Sequence, residues 1–231
     1  MSDDEALTRQ AASDAVGHLG WRYLLGTLRT AVPVASLDRA AEAVRIAVEA
    51  CGHDADGHLV ADLRSGQAAL TLRCARAAAV TCRDTELARR ITAALGAAGL
   101  RTEPGGADAP RSVQLLELAI DALDIAAIRP FWKAVLGYAD EADADGSADA
   151  VVDPLGQGPA VWFQQMDVER PQRNRIHFDL CVPHDEADAR IAAALAAGGR
   201  LVSADRAPAF TVLADAEGNE VCVTTWQGRD G

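Results

Sequence analysis

The chain has 231 residues, 49% of them apolar, and a formal net charge of −12. Its length suits two domains of about 100 to 120 residues, each able to bury its own core. The acidic balance repels phosphate backbones and no basic stripe opposes it, which argues against nucleic-acid binding and toward a small-molecule ligand.

The elements follow in chain order. An acidic amino terminus, Met1-Ser-Asp-Asp-Glu5, differs from a secretory signal, and no apolar run approaches the roughly 20 residues of a membrane span, so a cytoplasmic protein without membrane contact is expected. The spacing predicts a short helix over Ala6 to Val16, then strands Trp21 to Leu25 and Thr27 to Val34 around Gly26. Ser36 is the expected N-cap of a helix with Leu37, Ala40, Ala41, Val44, Ala47 and Val48 at helical spacing, stopped by Gly52. Strands Leu59 to Arg64 and Gln67 to Cys74 follow, then a helix from Asp84 to Ala98, giving the order α, β, β, α, β, β, α. Two prolines and paired glycines without apolar periodicity mark residues 101–111 as an interdomain linker between domains 1–100 and 112–231.

Beyond the linker the pattern predicts strand Val113 to Ile120, helix Ile125 to Leu136 closed by Gly137, and strands at Ala150 to Asp153 and Ala160 to Met166. It then recurs: strand Ile176 to Val182, helix Asp185 to Ala197 closed by Gly198, and strands near Leu201, Phe210 to Ala214 and Val221 to Trp226. Two βαβββ units result. Asp153-Pro-Leu-Gly156 in the first is echoed by Asp215-Ala-Glu-Gly218 in the second, 36 and 38 residues after Glu117 and His177. A near-constant offset points to duplication, and the Asp-x-x-Gly form suits a tight turn in which Asp bonds the backbone and Gly takes positive φ. Trp162, Phe163, Phe210 and Trp226 are expected mostly in the core, with one or two forming an apolar pocket wall. The acidic segment Asp140 to Asp149 is expected to be a solvated loop.

The five cysteines form no Cys-x-x-Cys pair and are odd in number, so neither a disulfide framework nor a structural zinc site is indicated; most are expected as buried fillers.

Leu116-Glu-Leu-Ala-Ile-Asp-Ala-Leu-Asp124, Phe131-Trp-Lys-Ala-Val-Leu-Gly137, Asn174-Arg-Ile-His-Phe-Asp179 and Asp215-Ala-Glu-Gly-Asn-Glu-Val-Cys222 together resemble the vicinal oxygen chelate superfamily, in its glyoxalase-like and bleomycin-resistance-like flavour. That resemblance implies paired βαβββ units whose concave face holds a divalent metal and stabilises an oxyanion. It places the polar, catalytic centre at Glu117 and His177, and a metal (Mg²⁺, Mn²⁺, Fe²⁺ or Zn²⁺) on Glu117, His177 and Glu220. Cys222 falls where the family carries its last ligand, and Trp162 or Gln164 where it carries another, a departure from the chelating set that leaves a pocket without a metal as the alternative. Asp179 would line the same pocket, with Gln164, Gln165, Arg173 and Arg175 around its mouth, where an arginine fork suits carboxylates.

The amino-terminal half, through Gly20-Trp21, Asp62-Leu-Arg64 and Val80-Thr-Cys-Arg-Asp84, resembles pterin-4a-carbinolamine dehydratase. Of the three imidazoles that family uses, only His58 stands here, with no visible partner, so a degenerate site is expected, leaving oligomerisation or covering of the second domain's pocket; a homodimer is the expected assembly. The whole is an α+β protein. Its expected function is glyoxalase-like lyase, isomerase or cyclisation chemistry on a small oxygenated metabolite. The alternatives are a non-catalytic drug- or metabolite-binding protein and, more weakly, a pterin-binding one.

Overall fold

A computed structural model describes residues 5–105, 112–141, 150–169 and 176–228. The chain divides into two compact units, meeting between Leu115 and Leu116.

In the first unit, helix α1 (Arg9–Val16) starts at Thr8, whose hydroxyl accepts from the Ala11 N–H at 3.2 Å. Strands β1 (Arg22–Leu24) and β2 (Thr27–Pro33) pair antiparallel. Ser36 caps helix α2 (Leu37–Cys51) by accepting from the Arg39 N–H, and Ala40, Ala43, Ala47 and Cys51 line its fully buried stripe. A single turn, α3 (Ala55–His58), leads to β3 (Leu59–Arg64) and β4 (Gln67–Leu72), and α4 (Cys82–Ala97) completes the unit. The sheet order is β1-β2-β4-β3, antiparallel throughout. Trp21, Leu28, Leu70, Leu72, Leu87 and Ile91 are fully buried in its core.

The start of the expected linker belongs to this unit. Glu103 exchanges both backbone hydrogen bonds with Ala31, at 2.8 and 2.9 Å, and the Thr102 hydroxyl donates to the Leu19 carbonyl at 2.7 Å. Turn composition marked a chain break in sequence, but these backbone groups find partners on β2 instead.

The second unit holds two sheets of the same plan. The first is β5 (Glu117–Ala122), β6 (Ala139–Asp140), β7 (Ala150–Val152) and β8 (Ala160–Gln165), in the order β5-β8-β7-β6, with helix α5 (Ile125–Leu136) between β5 and β6. The second is β9 (Phe178–Cys181), β10 (Arg200–Ser203), β11 (Phe210–Ala214) and β12 (Glu220–Thr224), in the order β9-β12-β11-β10, with helix α6 (Ala187–Ala196) between β9 and β10. In each sheet the opening strand runs parallel to the closing one, β5 beside β8 and β9 beside β12, and the other pairs are antiparallel. The βαβββ repeat is therefore present twice. Strand β5 starts four residues later than the sequence pattern placed it, because the Val113 N–H donates instead to Pro104 of the first unit.

The repeated turns share one hydrogen-bond scheme. Asp153 accepts from the N–H groups of Leu155, Gln157 and Gly158, while Asp215 accepts from those of Glu217 and Asn219. Gly156 and Gly218, three residues after each aspartate, have φ of +67° and +92°, where a side chain would be strained. Ile120, Ile128, Phe131, Trp132, Val161, Phe178, Leu213, Val221 and Val223 join one core.

Candidate active site

Strand alternation decides which side chains can form a site. Val221 and Val223 of β12 and Phe178 and Leu180 of β9 belong to the core, so Cys222 and Asp179 occupy the opposite face, paired across the two parallel strands in register. His177 precedes β9 in phase with Asp179. The imidazole, the carboxylate and the thiol come together with their ligand atoms all within 4.8 Å of one another. His177 Nε2 lies 3.5 Å from an Asp179 oxygen, and the two side chains are 57% and 63% exposed, so they are open to an incoming molecule. Cys222 itself is only 8% exposed.

In the first sheet Leu118, Ile120, Val161 and Phe163 face the core, which puts Glu117, Asp121, Trp162 and Gln164 on its other face, with Asp121 opposite Gln164. Glu117 is exposed and opens β5 opposite Ala160. Gln165 is committed to the backbone, its amide donating to the carbonyls of Leu123 and Met166 at 2.8 and 2.9 Å. Arg173 and Arg175 lie outside the described residues, as do residues 142–149 of the acidic segment.

Of the expected ligand residues Glu117, His177 and Glu220, His177 alone belongs to the group of side chains that the fold gathers, together with Asp179 and Cys222. Among the described residues this is the one group of three metal-capable side chains, and neither glutamate belongs to it. Glu220 stands one pleat from Cys222, opposite Ala214, at the start of β12. Sequence reasoning had Asp179 in the pocket but not as a donor; its spacing of two from His177, on one strand face, was the available signal. The group suits a divalent cation by donor type, since imidazole, carboxylate and thiolate all bind first-row metals.

A separate cavity of about 640 Å³ opens where β5 meets the approach to β9 and the turn after Asp215, lined in part by Asp121, Trp132, Met166, Glu169, Phe178 and Glu217. Neither Glu117 nor His177 lines it. Glu217 also accepts from the N–H groups of Leu123 and Asp124, at 2.9 and 2.7 Å, just before helix α5.

Two expectations need correction. Trp226 is not core: it is 61% exposed and donates from Nε1 to His184 Nδ1 at 3.2 Å. His58 does have a partner. Its Nδ1 lies 2.7 Å from Oδ1 of the fully buried Asp84, whose other oxygen accepts from the Thr81 N–H and hydroxyl. Aspartate at the third position of α4 completes a capping box there, so one carboxylate serves both the helix end and the histidine.

A family model described as a glyoxalase-like domain matches residues 117–224. This span contains both βαβββ repeats and the His177 group, and a glyoxalase-like domain therefore occupies the carboxyl-terminal half of the chain. Solved structures similar to this chain include a glyoxalase/bleomycin resistance protein/dioxygenase family enzyme from Burkholderia phytofirmans PsJN, at 17% identity and TM-score 0.38, covering 49% of this chain and 98% of that one. The fosfomycin resistance protein FosX from Mesorhizobium loti is similar at 10% identity and TM-score 0.40, over 49% and 92%. A protein described as oxidase ChaP-H2 is similar at 16% and 0.37, over 50% and 94%. Comparison with curated proteins gives no match. No helix among the described residues is long and apolar enough to cross a membrane.

Proposed function

We propose that the carboxyl-terminal unit binds a small oxygenated metabolite on the sheet face carrying His177 and transforms it by glyoxalase-like lyase, isomerase or cyclisation chemistry. The observation that carries this reading is the gathering of His177, Asp179 and Cys222 on an exposed strand face of a domain whose wider superfamily includes enzymes. Ionisable groups convergent on an open face can hold a substrate oxygen and move a proton to or from the adjacent carbon. Asp179, with a carboxylate oxygen 3.5 Å from His177 Nε2, is placed to orient the imidazole. Glu117, on the equivalent strand of the first repeat, is a second acid/base group, with Trp162, Gln164 and Arg175 as proposed substrate contacts. A cation held by His177, Asp179 and Cys222 would add Lewis-acid stabilisation of the developing oxyanion.

The test is turnover of a panel of small compounds with vicinal oxygens, such as α-hydroxycarbonyl and α-dicarbonyl adducts. His177→Ala and Glu117→Ala should each lose at least about a hundredfold in kcat/KM while keeping the native circular dichroism spectrum. Unchanged turnover in both variants would defeat the proposal.

A second reading, capture of a drug or metabolite without conversion, draws on the separate cavity. Its carboxylates Asp121, Glu169 and Glu217 beside the rings of Trp132 and Phe178 suit an apolar ligand bearing an amine. Binding that survives His177→Ala but fails in Glu169→Gln would favour it. For the first unit, the tie between His58 and the buried Asp84 supports a structural role over retained dehydratase chemistry; binding of a reduced pterin would argue otherwise.

A further inference from the structure

The donor set of the second repeat differs in chemistry, and not only in position, from the oxygen-rich set the family resemblance implies. The His177 to Asp179 separation of 3.5 Å sits at the outer limit of a hydrogen bond. It is close to the edge of a tetrahedral site, roughly 3.3 to 3.4 Å when bonds to nitrogen and oxygen are about 2.0 to 2.1 Å. A sulfur bond of about 2.3 Å lengthens the remaining edges to roughly 3.6 Å. The three ligand atoms already lie within 4.8 Å of one another, and the two exposed side chains have the rotamer freedom to close that difference.

Charge agrees with geometry. A thiolate and a carboxylate together neutralise a divalent cation, and the neutral imidazole adds a third bond; the Cys222 thiol releases its proton to solvent on binding. Three protein donors would leave a fourth coordination position for solvent or substrate. A thiolate is a poor ligand for Mg²⁺ or Ca²⁺, which prefer six or more oxygens, and a good one for Zn²⁺ and Co²⁺. We infer that the second repeat alone holds a thiophilic divalent cation, Zn²⁺ or a close first-row neighbour, through His177, Asp179 and Cys222, with Glu117 and Glu220 outside the coordination sphere. This site lies on the face proposed above to carry substrate, and it rests on that reading only for its placement.

The experiment is titration of the full-length, metal-free chain with Co²⁺, followed by the near-ultraviolet charge-transfer band from thiolate to cobalt. The wild type should show the band, lose it on adding Zn²⁺ and keep it under a large excess of Mg²⁺. Cys222→Ser should abolish it, whereas Cys181→Ser and Glu117→Ala should leave it intact. Asp179→Asn should weaken Co²⁺ binding at least tenfold while the band persists at saturation, a check that holds even if Cys222→Ser folds poorly. A missing band in the wild type, a band that survives Cys222→Ser, or equal weakening by Glu117→Ala and Asp179→Asn would overturn the inference. The two proposals fail separately. Cobalt binding without turnover of any panel compound removes the catalytic reading, and turnover that depends on His177 without a cobalt band removes this one.

Discussion

The indole N–H of Trp132 donates to a buried oxygen of Asp215 at 2.9 Å, joining the helix of the first βαβββ repeat to the turn of the second. Asp215 also accepts from the Glu217 and Asn219 N–H groups and from the Asn219 amide, and it is fully buried. Its counterpart Asp153 makes the same turn but lies partly exposed. Removing a buried charged acceptor strands several donors, so Asp215→Ala should destabilise the second unit by about 3 to 5 kcal/mol, and Asp153→Ala by about 1 to 2 kcal/mol. Denaturant unfolding followed separately for the two units checks this, and equal costs would refute the asymmetry.

Asp153 also gives a pH dependence. Burial pushes its carboxyl upward, but the three backbone N–H groups of Leu155, Gly158 and Gln157 outweigh burial and hold it below its ordinary value of 3.8. A depressed folded pKa means that the stabilisation is complete above the unfolded value and disappears as pH falls through the folded one. Asp153→Asn should therefore flatten the fall in stability of the second unit below about pH 4, where a titrating carboxylate costs the wild type most. An unaltered acid limb in thermal melts between pH 2.5 and 5 would contradict this, the range being roughly that of carboxylate titration.

In the first unit, Asp84 is fully buried yet bonded to Thr81 and His58. Asp84→Ala should cost about 3 kcal/mol through loss of the cap and of the charged bond, whereas His58→Ala should cost about 1 to 2 kcal/mol. The double variant should cost less than the sum, since the shared bond can be lost only once. Additive costs would show that the short contact contributes nothing to stability.

How legible these features were depended on the range of the interaction. The second unit could be read because its signals are local and occur twice: Asp124 before a helical apolar stripe, Gly137 at its end, and Asp-x-x-Gly at one offset in both repeats. The donor group was harder. Which of Asp179, Glu220 and Cys222 meet depends on the parallel register of β9 and β12, set by pairing between residues some 40 apart, which one sequence does not encode visibly. Family position suggested Glu117, and nothing in the pattern of β5 could show that it falls outside that group. The His58 to Asp84 tie was missed for the same reason, since the two residues stand 26 apart in sequence and meet only in the folded unit.

Gly20 supplies a sharper test of the boundary between linker and fold. Its φ is +84°, and an added Cβ would sit 2.1 Å from the Thr102 carbonyl oxygen, a backbone atom that cannot turn aside. Gly20→Ala should cost about 3 kcal/mol or more and loosen the strap formed by residues 101–105. Gly26, with φ of +72° and open space around it, carries only the backbone strain, so Gly26→Ala should cost about 1 to 2 kcal/mol. Hydrogen exchange at the Glu103 amide, which donates to Ala31, should speed up in the first variant and not in the second. Equal losses in both would mean that the Thr102 approach is not a tight contact.

The thiols differ enough in surroundings for chemical labelling to separate them. Burial raises the Cys51 thiol to about 11, partly countered by Arg90 and reinforced by Asp54, so almost no thiolate is present there at neutral pH. Cys74 and Cys222 are also buried, whereas Cys181 is exposed near the end of β9. A fast phase with a small disulfide reagent at pH 7.5 should therefore belong to Cys181 and disappear in Cys181→Ser, with Cys51 reacting only on unfolding, because the attacking species is the thiolate and access governs the rest. Prior addition of Zn²⁺ should protect Cys222 from slow labelling without changing the Cys181 phase. Rapid modification of Cys51 in the folded protein would contradict the packing of α2, whose buried stripe that residue ends.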